Sequence, residues 1–112
     1  MRGELIKGHL DLLLLAVVEA RPVHGYVIIE ELRRRSSEAI DLPEGTVYPA
    51  LHRLERAGFL KSGWETVAGR RRRVYELTRK GRSALETQRQ EWQGFAQAVG
   101  AVIGGTACLA PS

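Results

Sequence analysis

The sequence predicts a mainly α-helical chain with a small β-hairpin, arranged as a winged helix-turn-helix that continues into one long C-terminal helix. Three observations carry this expectation. Apolar residues recur at three- and four-residue steps in the segments before residue 58 and after residue 78. The stretch between them is rich in Trp, Val, Thr and Tyr around an arginine run. A formal net charge of +4, with an isoelectric point near 9.7, points to a polyanionic partner.

The 112 residues suffice for one compact domain, and 44% hydrophobic with 27% charged residues is ordinary globular usage. From Leu5 to Ala20 the chain is apolar on nearly all sides, as expected of a helix covered on several faces and ended by Pro22. His24-Gly25-Tyr26 opens a second, amphipathic helix to Arg35, with Val27, Ile28, Ile29 and Leu32 inward and Arg33 to Arg35 outward. After the polar link Ser36–Asp41, Leu42-Pro43-Glu44-Gly45 reads as a turn feeding a third helix. Val47, Ala50, Leu51, Leu54 and Ala57 form its inner face, and Gly58 stops it. Pro49 belongs in the first turn or two, which is satisfied if Thr46 caps the regular part.

Leu60 to Val67 and Arg72 to Leu77 read as strands flanking Ala68-Gly69-Arg70-Arg71, a hairpin with a basic tip. Thr78 is the expected N-cap of a last helix from about Arg79 to Val102 or Ile103. The expected units are residues 1–78 as the winged helix-turn-helix, 79–103 as a dimerisation helix, and 104–112 as a frayed tail.

The third helix offers Thr46 and Tyr48 near its start, suited to phosphate or base, and His52 and Arg53 one or two turns on, within reach of base edges. Arg56 faces away and is expected to be an ordinary surface residue or to pair with an acid. Arg70, Arg71, Arg72 and Arg73 are four adjacent cations at a hairpin apex, an arrangement that mutual repulsion disfavours unless an anion comes close. Strand alternation splits them between two faces, so about two should reach DNA. Lys61 at the hairpin base is a weaker candidate for the same role, balanced against a plain surface lysine.

Lys7-Gly8-His9-Leu10, His24-Gly25-Tyr26, Gly45 to Leu51 with Arg53-Leu54-Glu55, and Gly69 to Tyr75 with Leu77-Thr78 together resemble the PadR family of transcriptional regulators. The resemblance covers roughly residues 5 to 100, and the single terminal helix is similar to the family's short subfamily. It implies a bacterial repressor that binds a palindromic operator on double-stranded DNA as a homodimer and is released by a small-molecule or stress signal. By this resemblance Tyr48 and Pro49 belong to the recognition helix and the hairpin is the wing. Tyr26 either reaches phosphate or packs between helices.

Leu85, Trp92 and Val99 repeat at seven, with Gln88, Phe95 and Val102 three further on, a narrow stripe suited to a helix–helix seam in a homodimer. The outer face of the first helix is expected to join it. Trp92 is read two ways: as a dimer-core aromatic, or, with Phe95, as a site for a planar aromatic effector. The latter resembles short-subfamily proteins in which a terminal-helix tryptophan pair stacks flat, apolar drugs, and Glu91 would favour cationic ones.

Other classes are disfavoured. No phosphate-cradling glycine loop with lysine occurs, the histidines His9, His24 and His52 are isolated, and Arg56 stands where an inverted zinc-protease motif needs its second histidine. Neither an enzyme, a metal nor a cofactor is expected. The lone Cys108 fits a reducing cytoplasm. Arg2 and Lys7 before the apolar run Leu12 to Val18 mimic a secretory leader, but the run is short and abutted by His9 and Asp11, and no stretch is long enough for a membrane span. The alternatives are a winged-helix module that binds protein, which usually lacks a basic wing, and a basic peripheral membrane protein, for which no suitable helix is present.

Overall fold

The computed structural model describes residues 3–104. Its elements are α1 (Gly3–Lys7), α2 (Leu10–Val18), β1 (Val23–His24), α3 (Gly25–Arg35), α4 (Glu44–Arg56), β2 (Leu60–Val67), β3 (Arg70–Leu77) and α5 (Arg79–Ile103). The strands form one antiparallel sheet in the order β1-β3-β2. Residues 105–112, which include Cys108 and most of the expected tail, lie outside the described residues.

The core sits where α2, α3, α4, the base of the sheet and the start of α5 converge. Leu14, Leu15, Ile28, Val47, Leu51, Leu54, Tyr75 and Leu85 are all essentially sealed from water there. Each helix contributes its three- and four-spaced apolar positions, so the outward faces keep the charges. Leu85 marks the limit of the expected dimer stripe: it is 1% exposed and packs inside its own chain's core. The first turns of α5 therefore belong to the packing of this one chain.

Three expectations need correction. The continuous helix over Leu5–Ala20 is two helices, with a turn at Gly8-His9 where His9 N–H donates to the Ile6 carbonyl at 2.8 Å. Glycine is a poor helix residue, and a break there lets α1 leave the line of α2. The third helix begins at Glu44 with Pro43 at the cap position, so Thr46 is already inside it and caps nothing. Pro49 is consequently the sixth helical residue, and its missing N–H leaves the carbonyl of exposed Gly45 to solvent. Finally, Arg70 and Arg71 lie within β3 rather than in a loop, because a two-residue turn closes the hairpin. Ala68 and Gly69, at φ of 52° and 79°, give the positive-φ pair of a type I′ turn, whose twist matches that of the strands.

The expected N-cap of the last helix is present. Thr78 Oγ1 accepts from Gly81 N–H at 2.9 Å and donates to the Gly58 carbonyl at 2.6 Å, tying the α5 start to the end of α4. Lys80 Nζ donates to the Ala57 carbonyl at 2.9 Å. Further along, Arg89 pairs with Glu19 at 2.9 Å, and the Glu19 carboxyl is held below its ordinary range by that hydrogen bond. The molecule is elongated, with a long axis of 53 Å. No helix among the described residues is long and apolar enough to cross a membrane.

Candidate nucleic-acid interface

Strand alternation sorts the four arginines by facing direction. Arg71 and Arg73 share a face with Trp64, Ser62 and the buried Tyr75, whereas Arg70 and Arg72 share the other with Glu65 and Val67. On the first face two guanidiniums stack on one indole, Arg71 at 4.6 Å and Arg73 at 5.0 Å from the Trp64 ring centre. On the second, Arg72 lies 5.1 Å over the Tyr26 ring. Cation–π contacts of this kind fix long side chains that would otherwise lose entropy on meeting a ligand.

The hairpin, the start of α3 and α4 meet at a concavity of about 270 Å³ lined by His24, Gly25, Tyr26, Tyr48 and Arg71 to Arg73. Tyr48 reaches it because Gly25 has no side chain: a Cβ there would lie 2.5 Å from Tyr48 Cε1. Burial, then the Glu44 carboxylate, pushes the Tyr48 hydroxyl upward in pKa, so it stays a neutral donor at ordinary pH. The first N–H groups of α3 have no side-chain cap, since His24 makes no capping bond. His24 Nε2 is itself buried without a hydrogen bond, and its nearest acid is Glu65 Oε1 at 3.5 Å.

Around this centre the expected site residues distribute unevenly. Tyr26, Thr46, Pro49 and His52 are exposed on α3 and α4, and Arg70 and Arg71 are exposed on β3. Arg53, expected over base edges, is instead held by Asp11 of α2 through two bonds of 2.6 and 3.0 Å. Arg56, expected to be an ordinary surface residue or to pair with an acid, is exposed and has no ion pair among the described residues. Lys61 pairs across the strands with Glu76 at 3.5 Å, near the hairpin base and away from the concavity. Trp64, Asp11, Glu55 and Ser62 escape a reading by charge, although strand alternation alone faces Trp64 toward Arg73.

A second surface lies at the middle of α5. Trp92 meets His9 edge-on at 5.0 Å and Phe95 at 6.2 Å. With Leu5, Ile6, Leu12 and Leu13 they line a largely apolar groove of about 470 Å³. An adjoining cleft of about 460 Å³ runs from Trp92 past Glu91 to the Asp11–Arg53 pair.

Comparison with known proteins identifies the family of the chain. Residues 14–87 match the transcriptional regulator PadR-like family. The chain is 43% identical over 77 residues to transcriptional regulator Rv3488 of Mycobacterium tuberculosis, a match covering 69% of each protein. Its fold is similar to a transcriptional regulator from Clostridium thermocellum, with a TM-score of 0.82 at 26% identity over 90% of this chain and 96% of that one. A PadR family transcriptional regulator from Eggerthella lenta is similar at a TM-score of 0.79 and 29% identity, over 89% and 86% of the two chains. With two thirds of its length matching the family and the winged-helix architecture shared, the chain belongs to the PadR-like family of transcriptional regulators.

Proposed function

We propose that this regulator binds a palindromic operator as a homodimer, represses from it, and is released by a planar small-molecule effector. The observation that carries the DNA-binding part is the convergence of three elements on one cationic concavity, where Arg71, Arg72, Tyr26 and Tyr48 stand beside the uncapped start of α3. Guanidiniums, hydroxyls and helix N-terminal N–H groups are the donors that hold DNA phosphates. Thr46 and His52, exposed on α4, are the side chains we place over base edges. The test is affinity for an operator duplex, obtained by selection from random DNA, measured against salt. Replacing Arg70 and Arg71 by Ala should flatten the slope by about one unit per guanidinium removed. A slope indistinguishable from wild type would take the hairpin out of the interface.

Dimerisation is supported by the far half of α5, where Trp92, Phe95, Val99, Val102 and Ile103 are all exposed, Phe95 by 58%. Five large apolar side chains on one helix are costly to leave in water, and a second copy of the same helix covers them by symmetry. Phe95→Glu leaves the core untouched and should yield a monomer by sedimentation that no longer binds the operator. A Phe95→Glu dimer would refute the assignment. The groove beside Trp92 and Phe95 is the proposed effector site, with Glu91 favouring a cationic guest. Tryptophan emission titrated with a planar cationic dye should be quenched in wild type and not in Trp92→Ala, in which Trp64 still emits.

A further inference from the structure

The four wing arginines do not share one job. Arg73 is partly covered by its own protein: its guanidinium lies 5.0 Å from the Trp64 ring centre and 3.6 Å from Glu55 Oε2 of α4. Glu55 is fixed from the other side by Ser62 Oγ of β2, which donates to the same Oε2 at 2.6 Å. One carboxylate of the third helix thus receives a hydroxyl from β2 and a guanidinium from β3. Arg71, two residues earlier on β3, lies 4.6 Å from the centre of the same indole ring, and neither it nor Arg70 has an acidic partner among the described residues.

We propose that Arg73 is a positioning residue rather than a phosphate contact: with Glu55 and Ser62 it braces the hairpin against α4, and Trp64 passes that order on to Arg71. This rests on the DNA-binding reading above and deepens it by dividing the cations into braced and contacting ones. The physical reason is competition. A guanidinium already held by a carboxylate and a ring face gains less from a phosphate than one with neither, while the spacing of hairpin and helix must match adjacent grooves of one duplex.

The division predicts opposite signs. If Arg73 touches phosphate, Glu55 is a nearby negative charge, and Glu55→Gln should tighten DNA binding. If Arg73 braces, Glu55→Gln should weaken it, by roughly two- to fivefold given the usual strength of a partly exposed ion pair. Arg73→Gln should weaken binding further yet leave the salt slope at the wild-type value. In the Arg73→Gln background the brace is gone, so adding Glu55→Gln should then tighten binding: the sign reverses across the double-mutant cycle.

A measurement on the free protein separates failure of the brace from failure of the DNA reading. In a Trp92→Phe background Trp64 is the sole tryptophan, and its emission anisotropy reports hairpin order. Both Glu55→Gln and Arg73→Gln should lower it to the same level, and the double variant should lower it no further. Unchanged anisotropy in both single variants overturns the brace whatever happens on DNA. Lowered anisotropy with a salt slope reduced by about one per wing in Arg73→Gln overturns the claim that Arg73 makes no phosphate contact. Lowered anisotropy in a protein that binds no selected duplex would retain the brace and refute its role in DNA binding.

Discussion

Gly81 and Gly94 lie on the same helix, and the same substitution should move them in opposite directions. At Gly81 a Cβ would stand 2.0 Å from the Phe59 carbonyl oxygen and 2.9 Å from Leu77 Cδ1. The oxygen belongs to backbone that also accepts from Thr78 N–H, so it cannot swing aside as a side-chain end would. Bringing 2.0 Å out to the 3.0 Å that real Cβ contacts respect requires α5 to retreat by about 1 Å. Such overpacking costs about 1–3 kcal/mol, and stretching the Thr78 cap adds about 1 kcal/mol. Against this stands the gain of about 1 kcal/mol for Ala over Gly in a helix. Gly81→Ala should thus destabilise by about 1–3 kcal/mol, or roughly 5–20 °C in Tm for a domain of this size. Gly94 has nothing within 4 Å of its Cβ position and is exposed, so Gly94→Ala keeps only the helix gain and should stabilise by up to about 1 kcal/mol. Thermal unfolding of the three proteins at one matched concentration reads both effects. If Gly81→Ala melts at or above wild type, the docking of α5 against Phe59 is not as close as the geometry requires.

Other outcomes follow from single contacts. Gly25→Ala pushes against the Tyr48 ring, which can rotate away, so stability should fall by only about 1–2 kcal/mol while operator affinity drops more than stability explains; equal losses would mean Tyr48 has no part in binding. Ala68→Asn suits the left-handed φ of 52° and should raise stability by up to about 1 kcal/mol in denaturant titration, and no gain would argue against a type I′ turn. The Glu31 carboxyl is held down to about 2 by hydrogen bonds from Arg34 and then Arg35. Because that folded value lies below its ordinary 4.5, any stability it contributes is complete above pH 4.5 and is lost as pH falls toward 2. The Tm difference between wild type and Glu31→Gln should therefore close over that window; a gap that persists at pH 2 would contradict the pairing.

Much of the fold was legible because its elements are long and carry strong periods. The amphipathic spacing of α3 and α4, the Thr78 cap and the Trp/Val/Thr/Tyr strands each repeat a local preference several times over. What escaped is short or set by packing. β1 has only two residues, too few for any alternation, and exists because Val23 and His24 find the free edge of β3 opposite Tyr75 and Val74. The break at Gly8-His9 escapes because the apolar run that follows from Leu12 to Val18 invites extension back over it, and a helix apolar on several sides shows no period that would end at a turn. Thr46 looked like a cap by residue type, but Pro43 with its extended backbone occupies that position three residues earlier, and the missing N–H of Pro49 is tolerated because Gly45 is exposed.

The candidate site was legible in its residue types and not in its allocation. A run of four arginines and a basic isoelectric point state how many cations exist, yet which of them can meet an anion depends on acids far away in the chain. Asp11 takes Arg53 from 42 residues away, and Glu55 reaches Arg73 from the neighbouring helix. Glu19 likewise takes Arg89 across 70 residues, and Glu76 takes Lys61 across the hairpin. Each pairing joins two elements, so the acids that remove cations from the surface are the same ones that fix α4 against α2, the hairpin against α4, and α5 against α2. Arg70 and Arg71, the two wing arginines nearest the turn, have no acidic partner among the described residues. The tip of the hairpin is cationic for a geometric reason as much as a compositional one: Arg70 and Arg71 are exposed there, and no carboxylate among the described residues pairs with them.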